Sequence, residues 1–517
     1  MSEPGRAEDL SAVFGRRNLG TDYYLTRAVL LRAIGFMYLV GFAIAWHQVL
    51  PLIGSNGLLP VQSFLEGAVD HLGSRGAVAW RLPSLFLLDA SDAVLRGASL
   101  LGLVLSAVVL AGVANAPILF VLWALYFSLV RAGQTFYGYG WEILLCETGF
   151  LAVFLAPAWR TRLLDARDPP PYVVVVLFRW LLFRVMFGAG LIKLRGDACW
   201  TELTCLFHHF ETQPNPGPLS AWFHALPKVV LKGGVVMNHV VEVIAPWFVF
   251  GPRPARILAG AVMIAFQLVL IASGNLSFLN WLTLVVALAC FDDHVLARLL
   301  PARPLARLRE LRARMVRPSR LRHGVIVALA VVLGLLSLNP IVNLLSTRQR
   351  MNSSFDPLML VNTYGAFGSV LEERKEIVIE GTASPDPFDD SAYVAYEFPC
   401  KPGDVARRPC LITPYHHRLD WQLWFASFSE IEAEPWLVHL VYQLLTGAET
   451  PRALLARDPF PVEPPRFVRA RLFSYRFRQA EGDGPFWERE LIGDYLTPVA
   501  RDDPRLLTYL RRQRLLR

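Results

Sequence analysis

Long apolar segments are the feature that most constrains what this chain can fold into. A helix needs about 20 mostly apolar residues to cross the hydrocarbon core of a bilayer. We place nine candidate spans, at 29–50, 93–113, 117–129, 141–158, 172–194, 229–250, 257–273, 276–291 and 324–345. The third and eighth are short, so they are either tilted hairpin partners or a re-entrant segment. The sequence therefore predicts an all-α membrane bundle of about nine helices at 29–345.

The composition agrees with a membrane protein. Of the 517 residues, 54% are hydrophobic and 18% are charged, against roughly 25% charged residues in soluble domains. The net charge of +8 lies between the apolar segments, so it indicates membrane topology and no nucleic-acid partner. The predominance of arginine over lysine is typical of bacterial proteins.

The basic residues predict which side of the membrane each end faces. Loops rich in Lys and Arg stay in the cytosol. With nine spans, four basic segments fall on one side: the N-terminal segment 1–28, the loop 160–167, the turn 253–256 and the arginine-rich link 292–322. The link could instead bind nucleic acid or lie on the membrane as an amphipathic helix. The odd number of spans places residues 346–517 on the non-cytosolic side.

After residue 345 the sequence changes to that of an aqueous domain. The segment 376–380 (EIVIE) alternates like a half-buried strand, and 393–398 and 467–477 also indicate strands. Short amphipathic helices are predicted at 419–428 and 436–445. The sequence therefore predicts a β-rich α+β extracytoplasmic domain at 346–517.

The densest group of polar residues lies around the outer end of the fifth span and the outer loop 195–228. Charges within a span usually face a protein interior or a watery cavity. Two interpretations stay open, structural ion pairs and a functional cavity, and snorkelling could also explain Lys193 and Arg195. The residues concerned are Arg179, Arg184, Lys193, Arg195 and Asp197, with the candidate partners Glu142, Glu147, His239 and Glu242.

Four of the six cysteines form two close pairs in polar segments. Cys199 and Cys205 could form a disulfide, bind a metal together with a nearby histidine, or stay free, although their spacing matches no common zinc pattern. Cys400 and Cys410 bracket the turn-rich sequence KPGDVARRP, which favours a disulfide in an oxidising compartment. We predict two disulfides and no metal site.

The chain lacks the local signatures of common enzymes. It contains no GxSxG, HExxH, CxxC or P-loop sequence, and no cofactor is predicted. An aromatic cluster in the C-terminal domain indicates core packing or, alternatively, a surface for a client protein. The cluster comprises Trp421, Trp424, Phe425, Phe428 and Trp436.

Several blocks of the sequence resemble the lipase maturation factor family. In the bundle they are YLTR (24–27), GSNGLLP (54–60), WEILLCETGFLAVFLAP (141–157) and FGAGLIKLRGDACWTELTCLFHHFETQPNP (187–216). In the C-terminal domain they are LVNTYGAF (360–367), IVIEGT (377–382), YEFPCKPGDVARR (396–408) and RLDWQLWF (418–425). Together these blocks span most of the chain.

The resemblance implies an accessory protein for folding. Eukaryotic members reside in the endoplasmic reticulum membrane, and secreted dimeric lipases need them to become active. Their C-terminal domain faces the lumen and is implicated in client binding. In the matching blocks this implies client-binding roles for Asn362, Tyr364, Asp420, Trp421 and Trp424. A bacterial relative would sit in the inner membrane, face the periplasm and need not serve a lipase.

A more distant similarity supports an alternative function. The bundle resembles the transmembrane domain shared with vitamin K-dependent gamma-carboxylase, in which a lysine in a comparable stretch is catalytic. Lys193 in GLIKLRGDACW is the matching residue. The alternative is thus a membrane enzyme with Lys193 as base, assisted by His239 or Glu242, in a cavity between spans four, five and six. The main prediction is a membrane-anchored folding factor that binds incompletely folded secreted clients such as lipases without turnover.

Overall fold

The computed structural model describes residues 22–163, 168–299, 310, 319–478 and 484–516. The N-terminal arginines Arg16 and Arg17, the loop residue Arg167 and most of the arginine-rich link lie outside these residues.

The first two-thirds of the described chain is helical. Its helices are α1 Tyr24–Ile53, α2 Val61–Leu72, α3 Arg75–Arg81, α4 Asp92–Leu110, α5 Ala116–Ala132, α6 Gly140–Leu155, α7 Tyr172–Arg195, α8 Ala198–Thr201, α9 Leu206–Thr212, α10 Ser220–His224, α11 Lys228–His239, α12 Arg253–Ser273, α13 Leu279–Ala287, α14 Asp293–Leu296, α15 Arg320–Leu336 and α16 Leu338–Leu345. Helix α11 continues through a π turn, Val240–Ile244, and a 3-10 turn, Ala245–Phe250. All nine predicted apolar segments are therefore helical.

Six of these helical stretches are long and apolar enough to cross a membrane. They are Tyr24–Ile53, Asp92–Leu110, Tyr172–Arg195, Lys228–Phe250, Arg253–Ser273 and Arg320–Leu345. Ala116–Ala132 and Leu279–Cys290 are shorter apolar helices, and α6 carries two glutamates. The chain is thus a multi-pass membrane protein, as predicted. The count of nine spans and the side occupied by each end stay predictions.

The helices of the bundle differ in how much of their length is buried. Helices α1 and α7 are buried along most of their length, whereas α4, α12 and α15 keep many apolar side chains exposed. Gly102 of α4 lies directly against the ring of Phe42 in α1, leaving no room for a larger side chain. Such small residues allow membrane helices to approach closely. The exposed apolar faces are those that suit contact with lipid.

The C-terminal domain is built on a four-stranded antiparallel sheet with the order β4-β3-β5-β6. Its strands are β3 Arg374–Thr382, β4 Val394–Ala395, β5 Phe467–Phe477 and β6 Trp487–Ala500, preceded by a small pair of strands, β1 Ser353–Ser354 and β2 Asn362–Thr363. Its helices are α17 Arg418–Ala426, α18 Pro435–Leu445, α19 Glu449–Arg452 and α20 Pro504–Arg512. The predicted α+β character is confirmed for this region.

The prediction that 376–380 forms a half-buried strand was wrong in its burial. The strand exists, but both of its faces are buried. Glu376 forms ion pairs with Arg374 and with Lys401, at 2.9 Å in the second case, and Glu380 lies 2.8 Å from Arg469. A buried charge is tolerated when it is paired and hydrogen-bonded. The alternation therefore arises from buried ion pairs and not from exposure to solvent.

The sheet domain and the bundle share one hydrophobic core. The rings of Phe136 and Trp436 are 6.1 Å apart across the boundary, and those of Trp141 and Trp421 are 4.8 Å apart. The domain sits on the end of the bundle formed by the C-terminal end of α1 and the N-terminal ends of α6 and α13. We call this contact region the junction.

Candidate functional site

The junction contains a fully buried ion pair between the two parts of the chain. Nη1 of Arg418 lies 2.7 Å from Oε1 of Glu142 and donates a second hydrogen bond, of 2.6 Å, to the carbonyl of Phe136. The guanidinium stacks 3.6 Å above the ring of Tyr137. Glu142 was expected to pair with an arginine of the bundle, but its partner comes from α17.

A second buried ion pair organises the start of the C-terminal domain. Glu147 in α6 pairs with Arg184 in α7, a pairing that the sequence left open among several candidates. Oε2 of Glu147 also accepts from the Asn362 backbone amide at 3.1 Å and from the Tyr364 hydroxyl at 2.8 Å. Gly188 makes room for this segment, because its Cα lies directly beside the Tyr364 carbonyl. Asn362 and Tyr364 therefore anchor the domain to the bundle.

Side-chain amides of the bundle hold the backbone of the segment 410–418. The Asn275 side chain donates a hydrogen bond of 2.7 Å to the Cys410 carbonyl. It accepts hydrogen bonds of 3.0 and 3.1 Å from the backbone amides of Ile412 and Thr413. Gln48 donates 2.9 Å to the His416 carbonyl and accepts from the Arg418 amide. These two side chains supply hydrogen bonds to backbone groups that have no partner in a helix or strand.

A third set of contacts ties the sheet to the outer loop. Arg374 is fully buried and donates hydrogen bonds of 2.8 Å to the carbonyls of Glu211 and Pro214. The Trp424 indole donates 3.1 Å to the Thr212 carbonyl. The outer loop and the C-terminal domain therefore lie on the same end of the bundle.

Asp420 braces the second disulfide loop from inside. Its Oδ2 accepts from the backbone amides of Cys400 and Lys401 at 2.7 and 2.9 Å. Burial raises the pKa of the Asp420 carboxyl to about 6. Two amide donors directed at one carboxylate fix the loop against α17.

Of the residues assigned to client binding by resemblance, only Trp424 reaches the surface. Asn362, Tyr364, Asp420 and Trp421 are buried in the junction. Next to Trp424, the side chains of Phe425 and Phe428 are 41% and 43% exposed. Client binding itself stays a prediction for all five residues.

Both predicted disulfides are confirmed. Cys199 is bonded to Cys205, with a Cα–Cα distance of 4.8 Å, and Cys400 to Cys410, with 5.7 Å. The metal and free-thiol alternatives for the first pair are therefore replaced by the disulfide. Within the part of the chain that the structure describes, no group of three or more potential ligands could hold a metal ion.

Lys193 and Glu242 form a buried ion pair at the C-terminal end of α7. Nζ of Lys193 lies 2.7 and 2.6 Å from the two Glu242 oxygens and 3.1 Å from Oδ1 of Asn238. Gly190 allows this contact because its Cα lies against the backbone of Glu242. His239 does not join the pair, since its Nε2 lies 3.0 Å from the Trp200 carbonyl.

Arg195 and Asp197 lie outside this cluster. Arg195 donates a hydrogen bond of 2.9 Å to the Gln349 side chain. Asp197 accepts a hydrogen bond of 2.7 Å from the Val370 amide. Arg179, deeper in α7, donates to the Ala289 carbonyl and to the Tyr23 hydroxyl at 2.9 and 2.8 Å. The sequence placed these residues in or just after the fifth span and assigned no individual partner to any of them.

A cavity of about 470 Å³ lies beside Lys193. Its walls come from α7, α11, α12 and α13, and its roof comes from the outer loop and the segment 364–367. The predicted position between spans four, five and six was wrong for span four, because no residue of α6 lines the cavity, whereas residues of α12 and α13 do. His209 in the roof is buried, which, together with the charge of Lys193, lowers the pKa of its imidazole to about 4.

Several residues of the site were missed by sequence reasoning. Gln48, Gln267, Asn275 and Asn280 are buried amides within or beside apolar segments. A polar side chain at such a position is costly without a partner, and this cost is the signal that could have identified them.

Comparison with known proteins places both parts of the chain. A family model described as the lipase maturation factor transmembrane domain matches residues 25–298. A second model, the lipase maturation factor C-terminal domain, matches residues 360–498.

Full-length relatives show the same relationship. Lipase maturation factor 1 of Bos taurus is 46% identical, over 97% of this chain and 93% of its own length. The Homo sapiens protein of that name is 45% identical over 93% of this chain and 89% of its own length. Lipase maturation factor 2 of Homo sapiens is 30% identical over 94% of this chain and 84% of its own length. No solved structure gives a significant match.

Proposed function

Because this chain belongs to the lipase maturation factor family, we propose that it is a membrane-anchored maturation factor that helps secreted proteins such as lipases to fold. The similarity over nearly the whole chain to lipase maturation factor 1 carries this proposal. A factor of this kind needs no energy source, since binding an incompletely folded client competes directly with its aggregation.

The proposal places the C-terminal domain and the outer loop on the non-cytosolic side of the membrane. Both disulfides belong to these two segments, and disulfides persist in oxidising compartments. The basic link begins at the opposite end of the bundle, after α14. In a eukaryotic cell this side is the lumen of the endoplasmic reticulum, and in a bacterium it is the periplasm.

We place the client-binding surface on the exposed aromatic residues after Trp424. The rings of Phe425 and Phe428 pack 5.0 and 4.8 Å from the Trp424 ring. Exposed apolar residues that are neighbours on a folded domain indicate interaction sites. An incompletely folded client offers exposed apolar side chains, which are the chemistry that such a surface binds.

Strand β6 extends this surface. It is 14 residues long and forms an edge of the sheet beside β5. Among the described residues no further strand pairs with its other edge, on which the Trp487 amide donates a hydrogen bond to the Val405 carbonyl. Five consecutive residues, 488–492, are exposed. The Tyr495 hydroxyl donates 3.0 Å to the Ala426 carbonyl, which joins β6 to the end of α17 beside the aromatic residues. An extended client segment can add to an open edge through backbone hydrogen bonds.

The four buried residues predicted from the resemblance act indirectly in this proposal. Asn362 and Tyr364 bind Glu147, Asp420 holds the disulfide loop, and the Trp421 ring packs 4.8 Å from that of Trp141. They fix the position of α17 and β6 on the bundle, so their replacement should affect client maturation through the stability of the junction.

The contacts of Lys193 favour a structural role over the enzymatic alternative. A general base needs a lone pair within reach of a substrate proton. Both Glu242 oxygens and the Asn238 amide oxygen hold the ammonium group, and His239 bonds elsewhere. We therefore propose no reaction at this site.

The proposal can be tested in cells that lack their own lipase maturation factors. A secreted dimeric lipase is co-expressed with the full-length chain, and lipase activity per secreted lipase is measured. The double variant Phe425→Ser with Phe428→Ser, and separately Ile492→Pro, should reduce maturation at least fivefold. Phe388→Ser and Val462→Ser are matched controls, since both side chains are strongly exposed elsewhere in the domain.

Two results would contradict the proposal. The proposed function is wrong if the wild-type chain does not raise lipase activity and if no secreted protein co-purifies with the chain after cross-linking. If the surface variants mature the lipase as well as the controls do, the function stands and the assigned surface is wrong.

A further inference from the structure

We propose that the cavity beside Lys193 binds one neutral long-chain lipid, of the acylglycerol class, which enters sideways from the bilayer. The proposal concerns a ligand of the bundle and is independent of client binding by the C-terminal domain.

The size and lining of the cavity suit an acyl chain. Its volume of about 470 Å³ falls within the roughly 300–1,000 Å³ of small-molecule sites. Its walls are predominantly apolar and include Leu231, Val241, Phe266, Leu270 and Leu276. Protein interiors are closely packed, and a large apolar space without a ligand loses the dispersion contacts of its lining. An apolar chain would restore these contacts.

The cavity opens towards lipid between α11 and α12. These helices meet at the 251–253 turn and separate towards their other ends. Val230 and Met237 of α11 and Val269 of α12 line the cavity, and they are also 50%, 55% and 51% exposed. Both helices belong to stretches apolar enough to span the membrane, so these exposed side chains face hydrocarbon. A lipid chain can therefore enter without crossing water.

The polar groups of the cavity carry no net charge. The charge of Lys193 is balanced by Glu242, and His209 stays neutral because it is buried. Gln267 and Asn280 also line the cavity, with the Asn280 amide donating 2.7 Å to Oε1 of Gln267. Amide groups bind hydroxyl and ester carbonyl groups, whereas a phosphate or carboxylate would need an unpaired cation. This selects a neutral head group.

The roof of the cavity explains why the ligand would stay. Trp200, Leu206 and Phe210 belong to the outer loop, whose first turn is closed by the Cys199–Cys205 disulfide. Tyr364 and Phe367 of the C-terminal domain complete the roof. The head group is therefore enclosed on the side that the junction covers, and the tail faces the opening.

The test uses a photoreactive probe, a monoacylglycerol with a diazirine and an alkyne in its acyl chain. The full-length protein is placed in phosphatidylcholine nanodiscs containing the probe, irradiated and digested, and labelled peptides are identified by mass spectrometry. We expect label in α7, α11, α12 and α13. Excess unlabelled monoacylglycerol should reduce this labelling at least tenfold.

Matched variants at the opening distinguish the cavity from the general lipid surface. Ala265→Trp and Met237→Trp should obstruct the opening and lower labelling at least fivefold. Leu268→Trp and Val236→Trp lie on the same helices and are similarly exposed, but they do not line the cavity, so they should leave labelling unchanged. Two pairs are used so that one remains informative if a variant fails to insert.

Several results would overturn the inference. Equal labelling in the obstructed and control variants would mean that only the outer surface is labelled. Equal labelling by a diazirine fatty acid or by a diazirine phosphatidylglycerol would show that the site does not select a neutral head group. Since no client is present in this assay, its result does not depend on the proposed maturation function.

Discussion

At the scale of single residues, the junction and the adjoining sheet depend on buried charges that are all paired. Glu142 meets Arg418, Glu147 meets Arg184, and Glu376 meets Arg374. Removing one member of such a pair leaves the other charged and without solvation, which costs more than the intact pair contributes. Substitutions at these positions should therefore be among the most damaging in the chain.

The first prediction concerns Arg418. Arg418→Ala should lower the free energy of unfolding by roughly 3–5 kcal/mol, because Glu142 is left unpaired in the core. Adding Glu142→Gln should recover part of this loss. Thermal unfolding in mild detergent measures both effects.

A surface pair provides the control for Arg418. Arg505 is 84% exposed at its side chain and lies 3.4 Å from Asp503, so Arg505→Ala should change stability by less than about 1 kcal/mol. Equal losses for Arg418→Ala and Arg505→Ala would show that the buried pair is not important for the junction.

The second prediction concerns pH and His416. Burial lowers the pKa of this imidazole well below its ordinary value. The charge of Arg418 lowers this pKa further, and the electrostatic interaction with His417 acts in the same direction. The folded protein therefore keeps His416 neutral, while the unfolded chain takes up a proton near its ordinary pKa of about 6.5. The stability from this group is present above that pH and is lost as the pH falls below it.

The measurement is the melting temperature between pH 7.5 and pH 5. It should fall with pH, and His416→Gln should reduce the slope. His209 and His417 shift in the same direction, each to about 4, so the slope should decrease without vanishing. A variant with the wild-type slope would contradict the assignment to His416.

At the scale of elements, the segment from Cys400 to His417 connects the sheet to the bundle without regular secondary structure of its own. It is held by its disulfide, by Asp420 and by the amide of Asn275. Each of these contacts holds part of the segment's backbone in place, since the segment has no helical or strand hydrogen bonds to do so. The order of this segment should therefore depend strongly on the disulfide.

The third prediction follows from this dependence. Replacing Cys400 and Cys410 together by Ser should cost about 2–4 kcal/mol and expose the bonds after Arg407 and Arg408 to trypsin. Membrane insertion should stay intact, because the loop lies outside the apolar helices. Limited proteolysis with peptide mapping measures the effect.

The other disulfide provides the comparison for this loop. Replacing Cys199 and Cys205 together by Ser alters the outer loop and should leave the bonds after Arg407 and Arg408 protected. If both double variants are cleaved there at the wild-type rate, the 400–410 disulfide does not order its loop.

At the scale of the whole molecule, contacts across the junction require the outer loop and the C-terminal domain to share one side of the membrane. The buried Arg374 holds carbonyls of the outer loop, so the loop and the sheet domain must lie on the same side of the membrane. The arginine-rich link is separated from the C-terminal domain by one apolar stretch, Arg320–Leu345.

The fourth prediction tests this arrangement with single cysteines. Leu219→Cys in the outer loop and Val462→Cys in the C-terminal domain should react together with a membrane-impermeant maleimide from one side. Glu310→Cys in the link should react only from the other side. The native free cysteines, Cys146 and Cys290, are buried, so background labelling should be low. Reaction of positions 310 and 462 from the same side would contradict the topology.

The accuracy of sequence reasoning differed among these scales. Apolar length located the nine apolar helical segments but not short helices such as α2 and α9. Strand β5 was predicted with its observed bounds of Phe467–Phe477. Strand β6 and helix α20 were missed, since β6 interrupts its apolar residues with Glu488, Arg489, Glu490 and Asp494 and so lacks clear alternation. An edge strand tolerates such charges because its exposed side contacts solvent.

What the sequence by itself determined was the set of local properties: which segments are apolar enough for a membrane, which cysteines are close enough to pair, and which blocks resemble lipase maturation factors. These follow from spacing and residue type along the chain. Only the tertiary structure decided that Arg418 serves Glu142, that Asn362 and Tyr364 are buried anchors, and that the cavity lies among α7, α11, α12 and α13. These contacts join residues separated by tens to hundreds of positions, and buried charges take whichever partner the packing of the whole chain brings near.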